Sequence, residues 1–274
     1  MSGRRSAFFV SDRTGITAEM LGHSLLIQFD AVAFRETTLP YVDTPEKAHA
    51  AVATINRAGQ LDGVRPLVFA TLMDAELNHI VSTADACHLD CLHHFLAPLE
   101  AELGTPATRA MGRSHSLHHM PDYHERIEAV NYALIHDDGA SVRELAAADL
   151  ILVGVSRCGK TPTCLYLALQ YGIRAANYPL VEEDFKSAQL PEKLRPLKAK
   201  LFGLTIEATR LSHIRAARKP DSRYATLHHC RFEVHAAEAL MRQHGIEYLD
   251  TSDKSVEEIA TTVLHRTGLD RKIY

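Results

Sequence analysis

Gly154-Val155-Ser156-Arg157-Cys158-Gly159-Lys160-Thr161 fits the phosphate-cradling pattern G-x-x-x-x-G-K-[ST] at every fixed position. A phosphate needs backbone N–H groups turned inward, the positive end of a helix dipole and one mobile ammonium, and this spacing supplies all three. Gly154 and Gly159 allow turns that a Cβ would hinder, so the backbone can approach the phosphates closely. Lys160 reaches the terminal phosphate and the Thr161 hydroxyl ligates Mg2+. The expected nucleotide-binding set is therefore Gly154, Val155, Ser156, Arg157, Cys158, Gly159, Lys160 and Thr161. A loop of this kind serves kinases, GTPases, ATPases and nucleotide-gated switches alike.

Acids and bases around the loop narrow the chemistry. His136-Asp137-Asp138-Gly139 reads as a helix end with a glycine stop, yet two carboxylates there oppose the helix dipole. A Mg2+ ligand, for which Asp137 is the candidate, or a base for a hydroxyl nucleophile, for which Asp138 is, would account for them. Asp12 follows the first strand, where it serves either as an N-cap or as a site residue at the carboxyl edge of an open α/β sheet. Arg210, Arg215, Arg218, Lys219 and Arg223 form a basic cluster, either a solvated helix face or a lid over a transferring phosphate. Asp250 is an acid candidate by position alone. His115, His118, His119 and His124, like Cys87, Cys91, His93 and His94, hold fragments of metal-ligand spacing but no complete four-ligand pattern. The first histidine group suits hydrogen bonding to a phosphorylated partner.

The elements that must position these residues alternate. Ser6 to Val10 reads as a strand, Thr17 to Phe29 as a helix, Ala31 to Leu39 as a strand, and Thr44-Pro45 opens a helix to Ala58. Arg65 to Leu72 is the next strand, with helices over Asp74 to Ala84 and Cys91 to Leu103. Gly104 to Tyr123 breaks the rhythm. A helix over Asp122 to Ile135 and the buried run Asp149 to Val153 then lead to the glycine loop, and Pro162 suits the first turn of the helix after it. Further strands are expected at Arg174 to Leu180, Lys200 to Leu204 and Ile246 to Asp250, with helices over Glu207 to Arg218, Thr226 to Gln243 and, after a Ser255/Glu258 capping box, to Arg266. The expected class is α/β, with mainly parallel sheets and flanking helices. The expected domains are an N-terminal α/β domain over 1–104, a connecting segment with the HDDG loop over 105–145, and a P-loop kinase-like domain over 146–274.

Composition frames the functional classes. Hydrophobic residues make up 46% and charged residues 23%, ordinary for a folded globular chain. A net charge of -4 gives no global attraction to nucleic acid or anionic membranes. No apolar run is long enough to span a bilayer, and five cysteines without framework spacing suit a reducing cytoplasm. The expectation is a cytoplasmic protein that takes neither nucleic acid nor membrane as partner. Its oligomeric state is open, a homodimer included.

Ser11-Asp12-x-Thr14-Gly15-Ile16-Thr17-Ala18-Glu19, His136-Asp137-Asp138-Gly139, Gly154-Val155-Ser156-Arg157-x-x-Lys160-Thr161-Pro162 and Ala176-Asn177-x-Pro179-Leu180 occur in that order over nearly the whole chain. Together they resemble the bacterial phosphoenolpyruvate synthase regulatory proteins, whose sister group regulates pyruvate, phosphate dikinase. The resemblance implies a bifunctional serine/threonine kinase and pyrophosphorylase. Phosphate would move from ADP to a threonine beside the catalytic phosphohistidine of phosphoenolpyruvate synthase, releasing AMP. Inorganic phosphate would remove it again as pyrophosphate. In that scheme Lys160 and Thr161 hold the donor and Mg2+, and Asp138 or Asp12 takes the threonine proton. The same chemistry on pyruvate, phosphate dikinase, an ATP-dependent kinase of a small metabolite, and a non-catalytic nucleotide-sensing module are the alternatives.

Overall fold

A computed structural model describes residues 4–108, 120–137, 145–186, 189–220 and 222–272. The chain divides into two compact units, residues 1–116 and 117–274. The helix expected in the connecting segment, α5 (Met120–Ile135), packs on α6 (Lys160–Tyr171) and so belongs to the second unit.

The first unit is built on four parallel strands in the order β2-β1-β3-β4: β1 (Arg5–Ser11), β2 (Phe34–Leu39), β3 (Leu67–Thr71) and β4 (Cys87–Asp90). Successive side chains of a strand point to opposite faces, and here both faces are covered. Phe8, Val10 and Val68 bury one face with Ile55 of α2 (Pro45–Asp62) and with Leu77 and Val81 of α3 (Ala75–Ser82). Ala7, Phe9 and Phe69 bury the other with Ala18 and Leu26 of α1 (Ile16–Leu26). Gly22 lets α1 sit close, since a Cβ there would lie 2.3 Å from Cε1 of Phe9. Strand β4 has no counterpart in the sequence expectation. It is a short edge strand rich in polar residues, without the apolar run that marks β1 and β3. Helix α4 (His93–Leu103) follows it.

The second unit repeats the arrangement. Strands β5 (Leu150–Gly154), β6 (Ala175–Pro179), β7 (Leu201–Thr205) and β8 (Tyr248–Asp250) run parallel in the order β6-β5-β7-β8. Central β5 and β7 are buried throughout, as strands covered on both faces must be. Leu152 pairs with Asn177 on one side and Phe202 on the other. The remaining helices are α7 (Glu182–Lys186), α8 (Ala208–Arg218), α9 (Leu227–Gln243) and α10 (Val256–Thr267). Thr226 caps α9 and the Ser255/Glu258 capping box opens α10, as the sequence indicates.

In each unit the second strand is added on one side of the first and the third on the other, so the order of strands reverses between the first and third. Open α/β sheets bind ligands at the carboxyl ends of strands flanking such a reversal, which for the second unit means β5 and β7. Close approach of the two strand ends depends on Gly154, which has φ 152° and whose added Cβ would lie 2.1 Å from the Leu204 carbonyl oxygen. Gly154→Ala is expected to lower the unfolding free energy by about 3 kcal/mol through this overlap and the backbone strain. Urea denaturation checks it, and an unchanged midpoint contradicts the packing argument.

Candidate phosphate-binding site

The loop after β5 carries two residues that turn the chain through left-handed conformations. Arg157 has φ 77° although it is not glycine, and Gly159, at φ 94°, is the N-cap residue of α6. Alternation of this kind turns successive N–H groups towards one point and forms an anion-binding concavity. The N-terminus of α6 adds its dipole there. A cavity of about 190 Å³ lies in this bend, lined by Ser156, Arg157, Gly159 and Lys160, by Thr161 and Pro162 of α6, and by Asn177 of β6. Lys160 is 3% exposed and folds back into the loop, its Nζ donating to the Val155 carbonyl at 2.8 Å. Cys158 lies beneath with its Sγ 3.9 Å from that ammonium. Burial pushes the Cys158 thiol up despite the lysine, and pushes the thiol of Cys164 up as well, so both are neutral at pH 7.

Asp137 arrives from the opposite direction, directly after α5. The end of that helix is tied to β6, because Asn177 N donates to the His136 carbonyl at 3.0 Å, while the His136 ring stacks on Tyr132 at 4.0 Å. The half-buried Asp137 Oδ1 accepts from the Thr161 hydroxyl at 2.7 Å and from Asn177 Nδ2 at 2.6 Å. Asn177 Nδ2 also lies 3.0 Å from Thr161 Oγ1. A hydroxyl and a carboxylate joined at the mouth of a phosphate cradle are hard oxygen donors of the kind a magnesium ion takes. Asn177 appears in the sequence reading only as part of a motif. Its position on a strand running out to the loop is what makes it part of the site.

The basic cluster is not a uniform lid. Arg210, Arg218, Lys219 and Arg223 are exposed, whereas Arg215 is fully buried. Its guanidinium pairs with Glu233 of α9, lies 3.9 Å above the Tyr224 ring, and donates to the carbonyls of Tyr224 at 3.1 Å and Ser156 at 3.0 Å. The Tyr224 hydroxyl donates to Ser156 Oγ at 3.0 Å. Arg215 therefore holds the outer side of the loop and cannot be part of a mobile lid. Buried Thr251, just beyond β8, reaches the loop as well, its hydroxyl shared between the carbonyls of Cys158 at 3.1 Å and Thr205 at 2.9 Å.

The other sequence candidates fall elsewhere. Asp12 belongs to the first unit, where it is 5% exposed and accepts from Met73 N at 3.1 Å, linking the loops after β1 and β3. Asp138 lies outside the described residues, as do His115, His118 and His119. Asp250 accepts from the backbone N–H of Ser252 at 2.9 Å and closes the turn after β8. Among the described residues, no group of three or more His, Cys, Asp or Glu side chains is arranged to hold a metal ion, and no helix is long and apolar enough to cross a membrane.

Similarity to other proteins extends over the whole chain. A protein of Laribacter hongkongensis provisionally named phosphoenolpyruvate synthase regulatory protein is 54% identical over 273 residues, covering 99% of this chain and 100% of that one. Proteins carrying the same provisional name in Stutzerimonas stutzeri and Ralstonia nicotianae are each 53% identical, over 270 and 272 residues, covering 98% and 99% of this chain and 99% and 97% of their own lengths. The kinase/pyrophosphorylase family matches residues 7–264, a span that takes in both sheets and the loop after β5, and the chain belongs to that family.

Proposed function

We propose that this chain is a bifunctional, ADP-dependent serine/threonine kinase and phosphate-dependent pyrophosphorylase that inactivates and reactivates phosphoenolpyruvate synthase. The observation that carries the proposal is the hydrogen-bonded set Thr161, Asp137 and Asn177 at the mouth of a P-loop cavity containing Lys160. That set provides oxygen ligands beside a phosphate cradle, and the names of the relatives point to the target. Bound Mg2+ supplies charge neutralisation on the phosphate oxygens. The residues of the chain bind the donor, align it and keep water from it.

In the forward direction the ADP phosphates lie along the loop N–H groups, and Lys160 leaves the Val155 carbonyl for the β-phosphate. The threonine Oγ of the target attacks the β-phosphorus, the bond from that phosphorus to the bridging oxygen breaks, and AMP leaves with the bonding pair. Asp138, next in the chain to Asp137, takes the threonine proton. In the reverse direction an oxygen of inorganic phosphate attacks the phosphothreonine phosphorus. Pyrophosphate forms and the proton returns to the threonine oxygen. Both directions place developing charge on oxygens around one phosphorus, so one cradle serves both.

Four outcomes test this reading. ADP labelled at the β-position, incubated with phosphoenolpyruvate synthase carrying its phosphohistidine, should leave acid-stable label on a threonine and release AMP. Label transferred only from ATP, to a small molecule, would overturn the proposal. Lys160→Ala should abolish transfer in both directions with circular dichroism unchanged. Asp138→Asn should cut threonine phosphorylation far more than ADP binding, and an equal loss of both removes Asp138 as the base. Asn177→Ala should raise the Mg2+ concentration for half-maximal activity about tenfold by releasing Asp137 and Thr161. A metal titration with the same midpoint as the parent chain would show that Asn177 does not order those ligands.

A further inference from the structure

The loop carbonyls of the second unit are gripped from behind by two side chains that do not line the cavity. Arg215 Nη2 donates to the Ser156 carbonyl at 3.0 Å, and the Thr251 hydroxyl, shared with the Thr205 carbonyl at 2.9 Å, reaches the Cys158 carbonyl at 3.1 Å. In a planar trans peptide the C=O and the following N–H point in opposite directions. Holding Ser156 C=O toward Arg215 turns the N–H of Arg157 away from it, and holding Cys158 C=O toward Thr251 does the same for the N–H of Gly159. Arg157 and Gly159 both line the cavity. Among the described residues, neither N–H donates to a backbone or side-chain acceptor.

The cost of this arrangement argues that it serves the loop. Arg157 is held at φ 77°, a conformation that is strained for a non-glycine residue and persists only where its surroundings impose it. Arg215 is 0% exposed, paired with Glu233, and its Nε has no acceptor among the described residues. Burying an ion pair is weak as a source of stability, and one left partly unsatisfied is weaker still. What this guanidinium does supply is a rigid fork that fixes Ser156 C=O and Tyr224 C=O together, while the Tyr224 hydroxyl holds Ser156 Oγ.

We propose that Arg215 and Thr251 are positioning residues that aim the N–H groups of Arg157 and Gly159 at the phosphate held in the cradle, with Tyr224 locking the Ser156 corner. The inference rests on the phosphate-site reading of the loop and deepens it. The ligand it concerns is the diphosphate moiety, whether free or part of a nucleotide.

Calorimetric titration of the full-length chain with inorganic pyrophosphate and, separately, with ADP tests it, alongside thermal unfolding. Thr251→Val keeps the shape and removes the hydroxyl; it should weaken both probes about tenfold and lower the unfolding temperature modestly, because a buried carbonyl loses its donor. Thr251→Ser should restore binding, which a purely steric role would not predict. Arg215→Lys keeps the charge without the fork and should weaken both probes by a similar factor. If that variant fails to fold, Tyr224→Phe leaves the buried pair intact and should weaken both about threefold. Parent affinity in well-folded Thr251→Val and Tyr224→Phe overturns the inference. A parent chain that binds pyrophosphate but not ADP sinks the ADP reading alone, with the variants still compared on pyrophosphate. Failure of the parent chain to bind either probe sinks both.

Discussion

Peptide groups cannot turn their N–H bonds toward an empty centre unless something holds the carbonyls on the far side. In the second unit that constraint falls on the loop between β5 and α6, and much of the surrounding architecture answers it. β7 comes close enough to forbid a side chain at Gly154. α8 delivers Arg215, the turn before α9 delivers Tyr224, and the chain beyond β8 delivers Thr251, each to a carbonyl or hydroxyl of the loop. The opposite wall comes from the end of α5 and from β6, where Asp137 and Asn177 hydrogen-bond each other and Thr161. The loop is thus suspended between two sets of contacts, one on its carbonyls and one on the hydroxyl that ends it.

The two sheets have the same strand order, yet their reversal points are furnished differently. In the first unit the loop after β1 bends at Gly15, φ 85°, and is drawn to the loop after β3 by the carboxylate of Asp12. In the second unit the loop after β5 carries a buried ammonium instead. One topology accommodates an internal acceptor at one reversal and an internal cation at the other, because the sheet fixes only where the strand ends lie. The chemistry at those ends belongs to the loops.

The parts of this structure that were legible in the sequence are those whose signal is local. β5, the glycine loop and α6 form one continuous run, and the pattern G-x-x-x-x-G-K-[ST] carries its geometry with it. The caps of α9 and α10 are equally local. β4 was hidden because Cys87–Asp90 is short, polar and at the sheet edge, where apolar patterning is weakest. Arg215 was misplaced for a different reason. A helix with arginines at spaced positions reads equally as a solvated face or as a lid, and only the contact with Ser156, 59 residues away, shows that one of them points inward. Thr251 contacts a loop carbonyl 93 residues distant, and nothing in its own neighbourhood marks it. Asn177 belongs to the run Ala176-Asn177-x-Pro179-Leu180, but its partner Asp137 is 40 residues earlier and joins it only through the fold.

Lys160 adds a kinetic consequence. Its ammonium rests on the Val155 carbonyl, so an arriving phosphate would compete with an acceptor the loop already owns. The same carbonyl would take the ammonium back as that group departed, so the buried charge keeps a partner throughout. Occupancy would then exchange a neutral carbonyl for a charged acceptor, and the incoming group gains only the difference between the two. Any anion held in the cavity would bind less tightly and leave sooner than from a site whose ammonium had no resting partner.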